Sequence, residues 1–95
     1  MYWRVDREGL SNQLYYYTSY GDIELGVWHY ESEYRNCWYF DCKSFHIKNM
    51  VLAVNSLSEA KLKALEIVRY KLDTCLKEYE TTLRCVNRDL ALEVE

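Results

Sequence analysis

Hydrophobic and polar positions follow two different periods along the chain, and the change comes near residue 55. Before it, apolar and polar residues alternate in short runs, most clearly over residues 23–31, which is the pattern of half-buried strands. After it, apolar residues recur at three and four positions, which is the pattern of one apolar stripe on a helix. We therefore expect a single domain over residues 1–95, with a β part in 1–55 and a helical part in 56–95.

Five runs in the first part are rich in the β-branched and aromatic residues that favour strands. Segments with turn chemistry, such as Glu8-Gly9 and Gly21-Asp22, separate these runs. Short connections of this kind favour antiparallel neighbours, so we expect an antiparallel sheet of about four strands. The predicted strand runs are residues 2–6, 14–18, 23–31, 37–42 and 45–54, the last with an interruption near Asn49.

The helical part begins with a capping pattern, in which Ser56 is the expected N-cap and Glu59 follows three residues later. Its apolar stripe is expected to pack on one face of the sheet, which makes the fold class α+β. One unbroken helix over the whole stripe would be about 57 Å long, whereas a compact domain of this size is about 30 Å across. We therefore predict a break near Thr81-Thr82. The alternative is that the distal half packs on a second subunit, as a homodimer through the C-terminal helix.

The two periods together predict which side chains are buried. Residues on the helix-facing side of the strands and on the sheet-facing side of the helix should form one core. We expect that core to contain Val5, Ile23, Leu25, Val27, Trp38, Phe40, Ile47, Leu52, Val54, Ala64, Val68, Leu72 and Leu76.

Size and charge narrow the function classes. A chain of 95 residues has little room for both a core and a deep cleft, so an enzyme is not expected. Twelve basic and 15 acidic residues give a net charge of −3, which does not favour binding to phosphate backbones. The three glycines form no phosphate loop. We see no signal-peptide pattern and no apolar run of about 18 residues, so we expect a cytoplasmic protein without a membrane partner.

The cysteines do not have the spacing of a metal site. Cys37 and Cys42 are five positions apart, so they point to opposite faces of a regular strand. Cys75 and Cys85 are ten positions apart, which leaves them about 80° out of register on a helix. Neither pair has the Cys-x-x-Cys spacing of zinc sites, and both histidines are isolated. We therefore expect four reduced thiols, no metal, no cofactor and no catalytic residue.

Residues 20–41 combine acidic and aromatic side chains. They carry five acids and one base, a local net charge of −4 that exceeds the net charge of the whole chain. One helix covers only one face of a sheet, so the opposite face should be exposed, aromatic and acidic. Strand alternation assigns Glu24, Trp28, Tyr30, Tyr39 and Asp41 to that face. The candidate partner-binding residues are Asp22, Glu24, Trp28, Tyr30, Glu31, Glu33, Tyr39 and Asp41.

Three interpretations of this surface stay open. Exposed tyrosine and tryptophan are typical anchors of protein interfaces, and carboxylates around them can stand where phosphates would stand on a basic partner. The aromatics can instead form cross-strand pairs that cover the sheet, with the acids keeping it soluble. The third interpretation is a nucleic-acid binder that stacks bases on the sheet aromatics, against which the negative charge argues.

In length, acidity, tyrosine content and order of elements, the whole chain resembles small accessory proteins of bacteriophages and mobile elements, including anti-CRISPR and anti-restriction inhibitors. This resemblance implies inhibition by direct binding to a host defence nuclease or complex, in the host cytoplasm. No motif aligns, so no residue role is carried over from it. Together these features favour a non-enzymatic inhibitor that binds a protein partner with a basic surface and does not bind nucleic acid directly. The alternative is a regulatory or nucleic-acid-binding phage protein that uses the sheet aromatics.

Overall fold

A computed structural model describes residues 3–7, 13–31 and 36–93 of the chain. It confirms the predicted α+β arrangement, with an antiparallel sheet followed by one long helix. The sheet has five strands within the described residues, and a short 3₁₀ turn connects the last two. The elements are β1 (Arg4–Arg7), β2 (Leu14–Tyr20), β3 (Ile23–Glu31), β4 (Asn36–Cys42), the 3₁₀ turn (Lys43–Phe45), β5 (Ile47–Leu52) and α1 (Leu57–Glu93).

Each strand pairs with its neighbour in sequence, so the sheet is a simple meander in the order β1-β2-β3-β4-β5. A two-residue turn joins β2 to β3, and its first residue, Gly21, has φ of 60°, a backbone conformation that glycine adopts without steric cost. The connection into β5 is irregular, because His46 and Asn49 have φ of 57° and 55°. The register with β4 shifts in the same place. The interruption predicted near Asn49 is therefore a left-handed backbone position inside β5.

The start of α1 confirms the predicted cap at Ser56. It differs from a standard capping box only in that the Glu59 side chain bonds the residue before the N-cap. The backbone N–H of Glu59 donates to the Ser56 hydroxyl at 3.2 Å. The Glu59 carboxylate in turn accepts from the backbone N–H of Asn55 at 2.9 Å. The first bond satisfies a backbone donor of the first helical turn, and the second satisfies the donor of the residue before the N-cap.

The helix covers one face of the sheet over its first turns. Ala60, Ala64 and Val68 are its buried residues, and the two alanines allow the helix to approach the strands closely. They pack on Leu25, Val27, Phe40, Cys42 and Leu52 of the sheet. Burial of each large apolar side chain contributes about 1.5–3 kcal/mol, so this cluster is the main source of stability between sheet and helix.

Most of the predicted core is confirmed, and three members are wrong. Val5, Leu72 and Leu76 are 55%, 44% and 57% exposed. Val5 lies on an edge strand, and both leucines follow Val68, the last buried residue of α1. The confirmed residues are Leu25, Val27, Phe40, Leu52, Ala64 and Val68, with Ile23, Trp38, Ile47 and Val54 partly buried against them.

The predicted helix break at Thr81-Thr82 is wrong. Helix α1 runs unbroken for 37 residues, about 55 Å, and gives the molecule extents of 68 × 23 × 22 Å. The Thr81 hydroxyl donates to the carbonyl of Lys77 at 3.0 Å, inside the regular helix. Two β-branched residues cost less than about 1 kcal/mol each in a helix, which does not interrupt it. Every residue from Leu76 to Glu93 is consequently exposed.

Candidate functional site

The sheet face opposite α1, here called the outer face, carries the aromatic residues that the sequence placed there. Val27 and Phe40 point toward the helix, so their neighbours Trp28 and Tyr39 point away from it. Trp28 is paired with Tyr15 on one side and with Tyr39 on the other. Directly paired residues share a face. Among the described elements, α1 and Phe45 of the 3₁₀ turn pack against the core cluster on the opposite side of the sheet, and neither forms a covering layer over this face.

The centre of the outer face is an aromatic cluster of Tyr15, Tyr17, Trp28 and Tyr39. The Trp28 and Tyr39 rings stack with centroids 4.3 Å apart and planes 18° apart. The Tyr15 and Tyr17 rings lie 6.0 Å apart. Such pairs add about 0.5–1.5 kcal/mol beyond the burial of their area. The cluster therefore stabilises the sheet whatever else it binds.

Tyr39 corrects the expectation that this whole face is exposed. It is only 7% exposed, although it points away from the helix. The stacked Trp28 ring covers it, and Trp28 itself is half-buried. Tyr39 therefore packs beneath Trp28, and of these two stacked rings Trp28 is the one that a partner can contact.

Gly26 explains how the aromatic cluster fits on a pleated strand. This glycine is buried in the middle of β3, where glycine normally destabilises a strand by about 0.5–1 kcal/mol. A Cβ at this position would collide with the ring and hydroxyl of Tyr15. The Tyr15 ring occupies the space that a side chain at position 26 would fill. An isolated glycine inside an alternating strand is the sequence signal for such a close approach.

Asp41 is engaged within the chain by both of its carboxylate oxygens. The indole N–H of Trp28 donates to Oδ2 at 3.1 Å. The backbone N–H of Asn49 donates to Oδ1 at 2.6 Å. The carboxylate thereby connects β3, β4 and β5 and holds the left-handed position at Asn49. Asp41 therefore has a structural role, through two charge-assisted hydrogen bonds within the chain.

The remaining predicted site residues do not form one patch. Glu24 is exposed on the outer face, and Asp22 is exposed in the adjacent turn. Tyr30 lies on the same face as Glu24 but six residues along β3, about 20 Å away. Glu31 alternates to the helix side, and Glu33 lies outside the described residues. The predicted surface therefore divides into a turn end and an opposite end, with the aromatic cluster between them.

Basic residues from strands distant in sequence make the outer face less acidic than residues 20–41 suggest. Arg4 pairs with Tyr17 and so lies on this face. Lys48 lines a cleft of about 220 Å³ beside the Trp28–Asp41 hydrogen bond. The cleft is also lined by Gln13, Tyr15 and Asn49. Its volume is below the roughly 300–1,000 Å³ of small-molecule sites, and it is large enough for one side chain of a partner.

A larger recess of about 650 Å³ opens where α1 begins, and its walls include Tyr16, His29, Trp38 and Leu57. The His29 ring stacks on Trp38 with centroids 4.7 Å apart. Its Nε2 also shares a hydrogen bond with the Asn36 side-chain oxygen. These contacts make His29 a cross-strand packing residue at the rim of the recess.

None of the four cysteines lines either opening. None of the four forms a disulfide, and they range from buried Cys42 to exposed Cys85. Burial raises the pKa of the Cys42 thiol, which keeps it protonated and unreactive at neutral pH. Within residues 3–7, 13–31 and 36–93, no group of three or more His, Cys, Asp or Glu side chains is arranged to hold a metal ion. No helix in the same ranges has the length and apolar character to cross a bilayer.

Comparisons with protein-family models, with curated proteins and with solved structures find no match to this chain. The candidate site is therefore argued only from the contacts and the exposure of its own side chains. Sequence reasoning missed Tyr15, Tyr17, Arg4 and Lys48, because their place on the outer face depends on how distant strands pair.

Proposed function

We propose that this chain is a non-catalytic, protein-binding inhibitor that docks its outer face on a basic surface of a nucleic-acid-handling complex. The observation that carries this proposal is the uncovered aromatic cluster. Helix α1 packs on the opposite face, and the half-buried rings of Tyr15, Tyr17 and Trp28 remain at the surface. Ordered aromatic rings offer contact area with little loss of side-chain entropy, which makes them effective interface anchors.

Carboxylates at the turn end supply the electrostatic part of the proposed contact. Asp22 and Glu24 are both exposed, and no hydrogen bond or ion pair holds either side chain among the described contacts. Exposed charges of this kind accelerate encounter with an oppositely charged surface and orient the partner. Tyr30, which is 43% exposed at the other end of β3, extends the aromatic contact along the same face.

This proposal assigns different roles to the eight residues predicted from the sequence. Trp28 and Tyr30 supply contact area, and Asp22 and Glu24 supply charge. Tyr39 and Asp41 hold the surface in shape. Glu31 lies on the helix side and carries no part of the proposed contact, and Glu33 lies outside the described residues.

Charge and size support the proposed class of partner. A small, net-acidic chain is suited to occupy a surface that normally grips a nucleic acid, because its carboxylates take bonds from the same arginines and lysines. Because the chain resembles phage-encoded anti-CRISPR and anti-restriction inhibitors, we propose that it acts in the host cytoplasm on a Cas or other defence nuclease complex. No small-molecule cofactor takes part in this mechanism.

A regulatory phage protein that binds nucleic acid directly is the second candidate function. Arg4 and Lys48 lie on the outer face beside the aromatic cluster, and rings of this kind can stack on bases. Glu24 on the same face and the net charge of −3 oppose a phosphate backbone. We therefore favour the protein partner, and the experiment below includes the nucleic acid as an outcome.

The test compares two sets of full-length variants in two assays. The first assay measures retention of host proteins on the immobilised chain by quantitative mass spectrometry, and repeats it with the purified retained complex. The charge variant is Asp22→Lys with Glu24→Lys, and its matched control is Glu66→Lys with Glu78→Lys on the exposed side of α1. The aromatic variant is Tyr30→Ala, and its matched control is Tyr70→Ala, which removes a 69% exposed tyrosine from the helix.

We expect a basic nucleic-acid-binding complex to be retained by the native chain and by both controls. The charge variant should weaken that binding about tenfold at low salt and less at high salt. Equal binding by the charge variant and its control contradicts the proposal. The second assay measures anisotropy of labelled single-stranded DNA and RNA. Binding of either oligonucleotide at physiological salt supports the second candidate and overturns the first.

A further inference from the structure

The distal part of α1, residues 72–93, carries an apolar stripe with a seven-residue repeat. Leucine occupies one repeating position at residues 76, 83 and 90. The other repeating position holds large apolar residues at 72, 79 and 86. The six members, here called the seam, are Leu72, Leu76, Tyr79, Leu83, Val86 and Leu90. Alternating steps of four and three residues are the a and d positions of a heptad.

The seam is exposed along its whole length. Its six side chains are between 44% and 72% exposed, and no element among the described residues packs on them. Together they form a continuous apolar strip about 27 Å long on one side of the helix. Isolated exposed leucines are ordinary on protein surfaces, but a contiguous strip of this size marks an interaction site.

We propose that the occupant of the seam is the same helix of a second copy of this chain, in a two-stranded coiled coil. A strict seven-residue repeat keeps a narrow strip facing one partner helix as the two helices supercoil. Except for Cys75, the positions on either side of the seam are polar, among them Asp73, Glu80 and Asp89. A lipid surface favours a broader apolar face with flanking lysines and arginines, so these acids argue against a membrane.

The distal part of α1 receives no packing support from the other described elements. Only the first turns of α1 contact the sheet, and every residue from Leu76 to Glu93 is exposed. Most of the stability of helices in proteins comes from tertiary packing of an apolar face rather than from intrinsic propensity. Packing against an identical helix would supply the missing contacts, and the seam is self-complementary because every layer pairs an apolar residue with an apolar residue.

The buried area is of the size that a stable dimer needs. Complete burial of one large apolar side chain removes roughly 60–120 Å² of apolar surface from water. Twelve seam side chains, six from each chain, therefore bury on the order of 1,000 Å² before flanking residues are counted. Specific protein interfaces bury about 1,200–2,000 Å² in total. The seam alone nearly reaches that range.

The polar neighbours of the seam favour parallel helices. In a parallel coiled coil Glu80 lies beside Cys75 of the second copy, and Asn87 lies beside Thr82. An antiparallel arrangement that aligns all six layers brings Glu80 beside Glu80 of the other chain, which is repulsive. A parallel pair places both sheets at the same end of the molecule. This inference does not depend on the proposed function.

Sedimentation equilibrium of the full chain over about 1–100 µM tests the proposal. We expect twice the 11.5-kDa chain mass at the upper concentrations. Leu76→Lys with Leu83→Lys should weaken self-association at least about 100-fold. Leu92→Lys is the matched control, because Leu92 is 67% exposed on the same helix but lies off the seam. Near-UV circular dichroism of the sheet aromatics verifies that each variant keeps the folded sheet.

Either of two results in sedimentation equilibrium would overturn the proposal. One is a native chain that remains a monomer at the highest concentration, and the other is equal association of the seam variant and its control. Binding of the monomer to vesicles of phosphatidylcholine and phosphatidylserine, lost in the seam variant, would assign the seam to a membrane instead. Concentration-dependent helicity in the native chain and its absence in the seam variant would support the coiled coil independently.

Discussion

Gly26 offers the sharpest test of how the outer face is built. Replacing it with alanine adds one methyl group where the Tyr15 ring now lies. The backbone itself does not oppose the change, because Gly26 is paired inside β3 and does not have a positive φ. Any loss of stability must therefore come from the collision with Tyr15.

The size of the loss follows from two opposing effects. Alanine is favoured over glycine inside a strand by about 0.5–1 kcal/mol. Overpacking in a well-filled site costs about 1–3 kcal/mol, and displacing the Tyr15 ring also removes its contact with Tyr17, which is worth about 0.5–1.5 kcal/mol. We expect Gly26→Ala to lower the free energy of unfolding by about 1–2.5 kcal/mol. In a Tyr15→Ala background the same change should be neutral or stabilising.

The assay is urea unfolding of the native chain, both single variants and the double variant. Tryptophan fluorescence and far-UV circular dichroism should be followed together, because their coincidence tests whether unfolding is two-state. For a chain of this size the urea midpoint should fall by roughly 1–2 M in Gly26→Ala. All four proteins must be compared at one protein concentration, since self-association makes apparent stability depend on concentration.

The double variant decides whether the reasoning is correct. If Gly26→Ala collides with Tyr15, its cost disappears when the ring is absent, and the coupling energy between the two sites is about 1.5–3 kcal/mol. Equal losses in the two backgrounds would refute the packing of Tyr15 over Gly26, even if both variants were unstable.

Three further predictions follow from individual contacts. Asp41→Asn should lower the free energy of unfolding by about 1–3 kcal/mol, because it removes the charge from two hydrogen bonds. It should also shift the fluorescence emission of Trp28. Urea unfolding followed by tryptophan fluorescence measures the stability and the emission together. At neutral pH, iodoacetamide should modify exposed Cys85 first and Cys42 last, because burial raises the pKa of Cys42; early modification of Cys42 in peptide mapping would contradict its burial. Val86→Cys should be made in a chain that lacks Cys75 and Cys85. Parallel helices bring the two introduced cysteines together, so mild oxidation should form an interchain disulfide. Antiparallel helices would leave the variant monomeric on a non-reducing gel.

Much of the fold could be predicted from local patterns in the sequence. Alternation in β3 separated Val27 from Trp28 onto opposite faces, and the structure confirms that separation. The Ser56–Glu59 cap was readable because helix capping depends on residues within one turn. Both signals are local, so neither needs knowledge of which strands or helices meet.

The errors concern contacts between residues distant in sequence. Tyr39 alternates correctly to the outer face, but its burial depends on the Trp28 ring from the neighbouring strand. The hydrogen bonds of Asp41 to Trp28 and Asn49 could not be predicted either, because they form only once β3, β4 and β5 are aligned. The helix break was predicted from an assumption of compactness, and the seven-residue repeat that explains a long helix was present in the same stripe.

The two proposed surfaces combine to give a geometric consequence for binding. A parallel pair of helices would place two outer faces at one end of the dimer, joined by a stiff support that starts at Leu57. A partner with two basic surfaces could then engage both faces, and the second contact would form at a high effective concentration. The double variant Leu76→Lys with Leu83→Lys separates the two copies, so each chain then engages only one basic surface. Capture of such a partner should therefore weaken, although no residue of the outer face is changed. If the seam variant captures the partner as strongly as the native chain does, each outer face acts alone and the helix serves association only.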